Sequence, residues 1–436
     1  MTRNVIRRSI LAGIFLFSLA VYGTAAPAPV MAATGTIQVN TTQDTYGGSA
    51  CSLRNAVKAA NQGASFGGCP TGNKIILPAG SYKLTIVNPG GTETDVSTGD
   101  LDITASITIT GASAQSTTIY AAGSSFGDRI FHIQSGATVT LQNMKISGGY
   151  KYKNYGGGVL NDSGNLSLSQ VILDGNQVDL AADGAGGGIA NRGSASHLSI
   201  DYASISANKA KVGGGIYNEG ILTINHSAIY KNTAVVSGGG LDTRTLQSST
   251  SSASITNTTI ASNNAGSGLG GGIATSSTTL DITYATIADN VNEGLFISGF
   301  TPIIKNAIFA RNSVNCAISQ SAGTNISSWG YNLIDSSSDA CSFDGTGDIT
   351  GQSAMLTSGM SSHLGSTLTY GFTSTTSPAI DAIPLGSNCQ SPSDDQRGSS
   401  LFQRPIDGNG DGEAFCDIGA YEEKAIYYVN LPITIR

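Results

Sequence analysis

Residues 156–176 read GGGVLNDSGNLSLSQVILDGN, and the spacing inside this stretch decides the fold. Counting from Leu166, apolar residues stand at positions 1, 3 and 8, a mostly small residue at 6 and Asn at 11: Leu166, Leu168, Leu173, Val171 and Asn176. The pattern recurs as Leu198, Ile200, Ala203, Ile205, Asn208; as Leu222, Ile224, Ser227, Ile229, Asn232; as Ala253, Ile255, Thr258, Ile260, Asn263; and as Leu280, Ile282, Ala285, Ile287, Asn290. Positions 1 and 3 share one face of a strand, whereas 6 and 8 have the opposite parity, so a corner must lie between them. Gly triplets begin at 156, 186, 213, 238 and 270, spaced by 30, 27, 25 and 32 residues, and are followed by Val159, Ile189, Ile216, Leu241 and Ile273. Two short strands meeting at a bend, with a third after the triplet, make one coil of a parallel β-helix, with equivalent residues about 4.8 Å apart on successive coils. The spacing predicts a single all-β solenoid over 100–312. Its Asn176, Asn208, Asn232, Asn263 and Asn290 should stack as a structural column at a turn.

Composition agrees with one repetitive body. The 436 residues include 57 Gly and only 12% charged side chains, while 39% are hydrophobic, which excludes the disorder signature of low hydrophobicity and high charge. A net charge of −7 offers no basic footprint for nucleic acid. Residues 1–32 read as a secretory signal peptide: Arg3, Arg7 and Arg8 precede an apolar run from Ile10 to Tyr22 that is short for a membrane span. Cleavage is expected after Ala32, with Ala26 as the competing site. Losing three of the 22 basic residues and none of the 29 acidic ones leaves an exported chain of about −10, expected to be a monomer with no transmembrane helix.

Six cysteines in an exported chain point to disulfides. Fifteen connectivities are open, and the six fall into three local pairs, Cys51 with Cys69, Cys316 with Cys341, and Cys389 with Cys416. The rival zinc–thiolate reading needs C-x-x-C spacing or neighbouring histidines, which His132, His197, His226 and His363 do not supply.

The ends carry a resemblance. Cys51-Ser-Leu-Arg-Asn-Ala-Val57 followed by Ala59-Ala-Asn61 resembles the CSLREA N-terminal domain of exported β-helix proteins, with Asn55 standing in place of that motif's Glu. The segments 99–103 (GDLDI) and 128–131 (DRIF) are similar to recurrent pieces of the same group. At the other end, Ser377-Pro-Ala-Ile-Asp-Ala382, Asp395-Gln-Arg-Gly398, Arg404-Pro405 and Cys416-Asp-Ile-Gly-Ala-Tyr-Glu422 resemble, in order, the choice-of-anchor Q domain. The repeats are similar to those of polymorphic outer-membrane proteins. The resemblance implies a right-handed β-helix with an N-terminal cap over 33–99, a disulfide-stapled C-terminal region over 313–424, a tail over 425–436 and a secreted or surface location. It implies no reaction. Leu431-Pro-Ile-Thr434 lacks the Gly of a sortase signal, so covalent anchoring is not expected.

Three features remain as candidate chemistry. At the bend, Gln170, Tyr202, His226, Asn257 and Tyr284 form a column on successive coils; Tyr202, His226 and Tyr284 are the candidate glycan-binding residues, their rings suited to stacking on sugars. Asp407, Asn409 and Asp411, in DGNGDG, match the first half of a calcium loop, although Ile418 stands where the closing acid belongs; calcium is the one candidate cofactor, and a Gly/Asp turn tied by Cys389 and Cys416 is the alternative. The acids Asp201, Asp242 (near Arg244), Asp281 and Asp289 read as scattered rather than convergent, so no catalytic residue is assigned. The resulting expectation is a secreted or cell-surface adhesive scaffold that binds glycan or cell wall. The alternative is a polysaccharide lyase or glycoside hydrolase of the pectate-lyase-like β-helix type.

Overall fold

The computed structural model describes residues 34–89, 95–181, 183–245, 251–319, 325–337, 339–387, 389–398 and 402–424. The expected signal peptide and the 425–436 tail lie outside them.

The repeat builds a parallel β-helix. One long sheet runs through Lys74–Leu77, Ile107–Gly111, Thr138–Ser147, Asn165–Asp174, His197–Asp201, Ile221–Asn225, Ser252–Ala261 and Thr279–Ala288, with position 1 of each repeat in register: Leu166 on Leu198, Leu198 on Leu222, Leu222 on Ala253, Ala253 on Leu280. The strands after the Gly triplets, Val159–Asp162, Ile189–Arg192, Ile216–Asn218, Leu241–Arg244 and Ile273–Ser276, form a second sheet together with Leu101–Ile103, Phe131–Ile133, Glu293–Ser298 and Val314–Ile318. Among the described residues, every pairing between these strands is parallel. The ladder exceeds the 100–312 repeats at both ends, starting with Thr36–Gln38 on Lys74–Leu77 and ending with Leu333–Ile334 on Ile349–Thr350.

The corner between positions 3 and 6 is a single left-handed residue. Gln170, Tyr202, His226, Asn257 and Tyr284 have φ of 54°, 50°, 46°, 45° and 50°. One residue in this conformation reverses parity, which is how Leu168 and Val171 both reach the core. The first glycine of each triplet supplies a second tight turn, with φ of 70° at Gly156 and 73° at Gly186. The next two leave room for the adjoining coil, since a Cβ on Gly187 would stand 2.4 Å from the Gly214 carbonyl oxygen. The Asn column is a ladder: each Nδ2 donates to the next Oδ1 from Asn176 through Asn208, Asn232, Asn263 and Asn290 to Asn312, at 2.9 to 3.1 Å. Asn161, Asn191, Asn218 and Thr243 form a second ladder beside the triplets.

At the N-terminal end, Ser52 caps the helix Leu53–Gln62 by accepting from the Asn55 amide, and Gly63 closes it in left-handed geometry. Arg54 is fully buried, paired with Asp44 at 2.7 Å, and donates to the Gly99 and Val96 carbonyls. Asn55 donates to the Gly47, Ala50 and Gly67 carbonyls, so it ties the loops around the helix by side-chain hydrogen bonds rather than by charge. Disulfides join Cys51 to Cys69, Cys316 to Cys341 and Cys389 to Cys416.

Candidate functional site

Two outer faces of the β-helix carry the polar residues, and the fold treats them differently. On the bend face, the C-terminal region lies along the coils as irregular chain linked by isolated antiparallel bridges such as Ile383 to Cys416. A second apolar core forms between them from Ala261, Tyr284, Ala288 and Ile308 on the coils and Leu356, Tyr370, Ile383 and Ile418 above. At Tyr284 this region covers the bend residue of the expected sugar column. Tyr284 is fully buried, donates to the Cys389 carbonyl at 2.8 Å and lies under the Arg404 guanidinium at 3.8 Å. Tyr202 donates to the Gly398 carbonyl and stacks on His226 at 4.6 Å, and one edge of its ring borders a small hollow with Ser113, Gln170 and Ser366. His226 is clamped between Asp201 at 2.9 Å and Asp394 at 3.2 Å. Burial pulls the imidazole down, but the two carboxylates more than offset it and lift it to about 9; its hydrogen bond in turn holds Asp394 below the usual carboxylate range. All three side chains thus contact the C-terminal region. The residues there that resemble a recurrent motif make the clasp: Arg397 pairs with Asp395 at 2.6 Å, Gln396 accepts from Thr259 at 2.6 Å, and Arg404 pairs with Glu422, both side chains fully buried. Burial pushes the Glu422 carboxyl up to about 8.

On the outward side of the Gly-triplet sheet, Leu160, Ala190, Tyr217, Asp242 and Ala274 are buried with Tyr155, Ala185 and Val212 packed nearby, while Arg192, Arg244 and Phe296 stay partly exposed. After each inward aliphatic, the next residue points out, giving the column Leu160, Ala190, Tyr217, Asp242, Ala274 and Phe296 across paired strands. Two positions further on stand Asp162, Arg192, Glu219, Arg244, Ser276 and Ser298. Asp242 and Arg244 are therefore not scattered: they join Tyr217 and Glu219 in one cluster. Arg244 grips Asp242 with Nε on Oδ1 and Nη2 on Oδ2, each 2.7 Å, and Ser237 donates to the same carboxylate. Its guanidinium lies 5.5 Å from the Tyr217 ring centre; burial pulls its pKa down, but Asp242 more than compensates. Tyr217 donates to Glu219 at 2.5 Å, and burial first, then that bond, push the phenol well above its ordinary range. Tyr155 packs against Tyr217 at 5.7 Å, and the Arg192 guanidinium lies 4.7 Å from its ring centre.

Two hollows adjoin at Arg244. One, of 250 Å³, is walled by Val236, Leu269 and Phe296 around Asp242 and Arg244; the other, of 200 Å³, by Tyr155, Val212 and Tyr217 with Lys211 and Asp183. Tyr155, Arg192, Tyr217 and Glu219 escaped the sequence reading, although their signal was available. Their positions hold unlike residues on successive coils, whereas a purely structural column repeats.

The Asp407–Gly412 loop is organised by its own acids. Asp407 accepts from the Gly410 and Gly412 amides, Asn409 donates to Asp411, and Asp381 accepts from the Gly408, Asn409 and Phe415 amides.

No family model and no curated protein sequence matches this chain. Among solved structures it is similar to the pectate lyase Pel9A, with 14% identity, a TM-score of 0.55, and coverage of 90% of this chain and 98% of that one. The likeness shows the fold, a right-handed parallel β-helix.

Proposed function

We propose that this is a secreted or cell-surface β-helix scaffold that binds glycan along the outward face of its Gly-triplet strands. The observation that carries the reading is the pair of adjoining hollows at Arg244, each with apolar or aromatic walls and a few fixed polar groups, the usual make-up of a small-ligand site. Tyr155 offers a ring to a sugar face, and Arg192, Lys211 and Arg244 offer donors to hydroxyls or a uronate carboxylate. Three disulfides fit an oxidising, extracytoplasmic setting, and no helix among the described residues is long and apolar enough to cross a membrane.

A lyase or hydrolase is the second reading, favoured by the convergence of Asp242, Glu219 and Arg244 and by the fold shared with a pectate lyase. Against it, both oxygens of Asp242 are engaged by Arg244, and those of Glu219 by Tyr217 and the Gly193 amide, so these carboxylates position neighbours rather than stand ready as base or nucleophile. The deciding experiment incubates the mature protein with acidic and neutral polysaccharides, following retention on the polymer, unsaturated products and new reducing ends. Retention without turnover, weakened severalfold or more by Tyr155→Ala and Arg244→Gln, is expected. Turnover abolished by Arg244→Gln would establish the enzymatic reading instead.

A further inference from the structure

We infer that Asp100, Asp102 and His132, on the first two coils of the Gly-triplet sheet, form a binding site for a divalent transition ion of the zinc class. Strand Leu101–Ile103 pairs with Phe131–Ile133 so that Asp102 faces His132, while Leu101, Ile103, Phe131 and Ile133 point into the core. Alternation therefore places the carboxylate and the imidazole side by side on the outer face. One donor atom from each of Asp100, Asp102 and His132 lies within 4.8 Å of the others. Two ligands about 2.0–2.2 Å from a tetrahedral zinc ion lie about 3.4 Å apart, so side-chain rotations that close the gaps between these atoms bring the three onto a common ion.

The second observation is a pair of buried polar atoms that nothing in the protein satisfies. Asp102 is 1% exposed; its Oδ1 meets His132 Nδ1 at 2.8 Å and accepts from Gln134 Nε2 at 2.8 Å, yet its Oδ2 is buried without a partner. His132 Nε2 is buried and unpartnered as well. Buried polar atoms are normally hydrogen-bonded, and an orphan calls for an explanation such as an ion.

Charge points the same way. Asp100, Asp102 and Asp128 are all buried. Arg129 pairs with Asp100 at 3.1 Å and Lys151 with Asp128 at 2.5 Å, whereas the partner of Asp102 is an imidazole. The backbone is held from outside: Arg54 donates to the Gly99 carbonyl, and Asn61 donates to the Asp102 carbonyl at 2.7 Å and accepts from the Thr104 amide at 3.0 Å. That is the outer support a preorganised metal site needs. One imidazole with two carboxylates suits zinc and its neighbours better than calcium, which takes six or more oxygens.

The test is calorimetric titration of the chelator-treated mature protein with zinc chloride at neutral pH, with circular dichroism to verify folding. One equivalent is expected, with affinity at least tenfold weaker in Asp102→Asn and in His132→Gln and unchanged in His197→Gln. Zinc should raise the melting midpoint of the wild type and leave that of His132→Gln in place. No saturable binding by the folded wild type overturns the assignment, as does one equivalent that survives both substitutions. Should Asp102→Asn fail to fold, His132→Gln decides the outcome alone, because its ring lies partly at the surface.

Discussion

Two arginines, each lying on a tyrosine, contrast the faces of this β-helix. Arg404 lies over Tyr284 at 3.8 Å beneath the C-terminal region, its side chain fully buried; Arg192 lies over Tyr155 at 4.7 Å on the Gly-triplet face, with 43% of its side chain exposed. The same chemical pair is a fastening in one place and a surface in the other. What separates them is whether a second layer of chain covers them, and that layer also turns the acid partner from a solvated Asp162, 3.7 Å away, into the fully buried Glu422. On a repetitive rod, function is left to whichever face the remainder of the chain does not occupy.

The largest effect should come from the covered arginine. Arg404→Ala strands Glu422 without its cation and frees the Asn257 and Gly419 oxygens that the guanidinium satisfies. At a pH above about 8, where the Glu422 carboxyl is ionised, removing one partner of this buried ion pair costs about 3–5 kcal/mol. Chemical denaturation should show this loss, or a separate early transition of the C-terminal region, and an unchanged midpoint would mean that the clasp contributes nothing.

Within the rod itself, Asn232→Ala should rank next. Asn208 donates to the Asn232 side chain through both its amide and Nδ2, at 3.0 Å each, and Asn232 donates onward to Asn263. Two buried donors lose their acceptor, at about 1–3 kcal/mol for an unsatisfied buried group. The same substitution at exposed Asn165 should change the denaturation midpoint far less.

The covered face should also respond to pH. His226 binds its proton more tightly in the folded protein, at about 9 against 6.5, so its contribution is complete below about pH 6.5 and fades as pH rises towards 9. Glu422, lifted from 4.5 to about 8, loses its contribution in the same direction. Melting midpoints should therefore fall between pH 6.5 and 9, and His226→Gln should flatten that slope by removing one of the two groups. A slope identical in wild type and variant would place the pH dependence elsewhere.

Sequence reading reached the rod because its determinants are local and repeated. The parity switch between Leu168 and Val171, the Asn column and the Gly triplets each act between neighbouring coils at a fixed separation. The coils before residue 100 were harder to see: Ile37, Ile75 and Leu77 point into the core, but their segments lack the triplet and the Asn. The misreading of Tyr284 had another cause. Its place at a bend was legible, yet its exposure depended on Cys389 and Arg404, more than 100 residues away, and no pattern at the bend announces what packs on it. Asp242 and Arg244 looked isolated because their partners Tyr217 and Glu219 lie one coil back, visible only after the coils are placed in register.

The smallest expected stability change is the most informative about function. Arg192→Ala removes a half-exposed side chain whose ion pair spans 3.7 Å, and exposed pairs are worth about 0–1 kcal/mol. The midpoint should thus barely move, in contrast to Arg404→Ala, although both substitutions delete an arginine stacked on tyrosine. If the Gly-triplet face binds glycan, the same variant should weaken retention on an acidic polysaccharide more than on a neutral one, because a guanidinium discriminates for a carboxylate that a ring face does not. Loss of stability on the scale of Arg404→Ala would show that Arg192 is a second fastening and that this face, too, is covered in the mature protein. Unchanged stability together with unchanged retention on every polymer would place the binding surface away from Arg192 and leave the two hollows at Arg244 to carry the interaction alone.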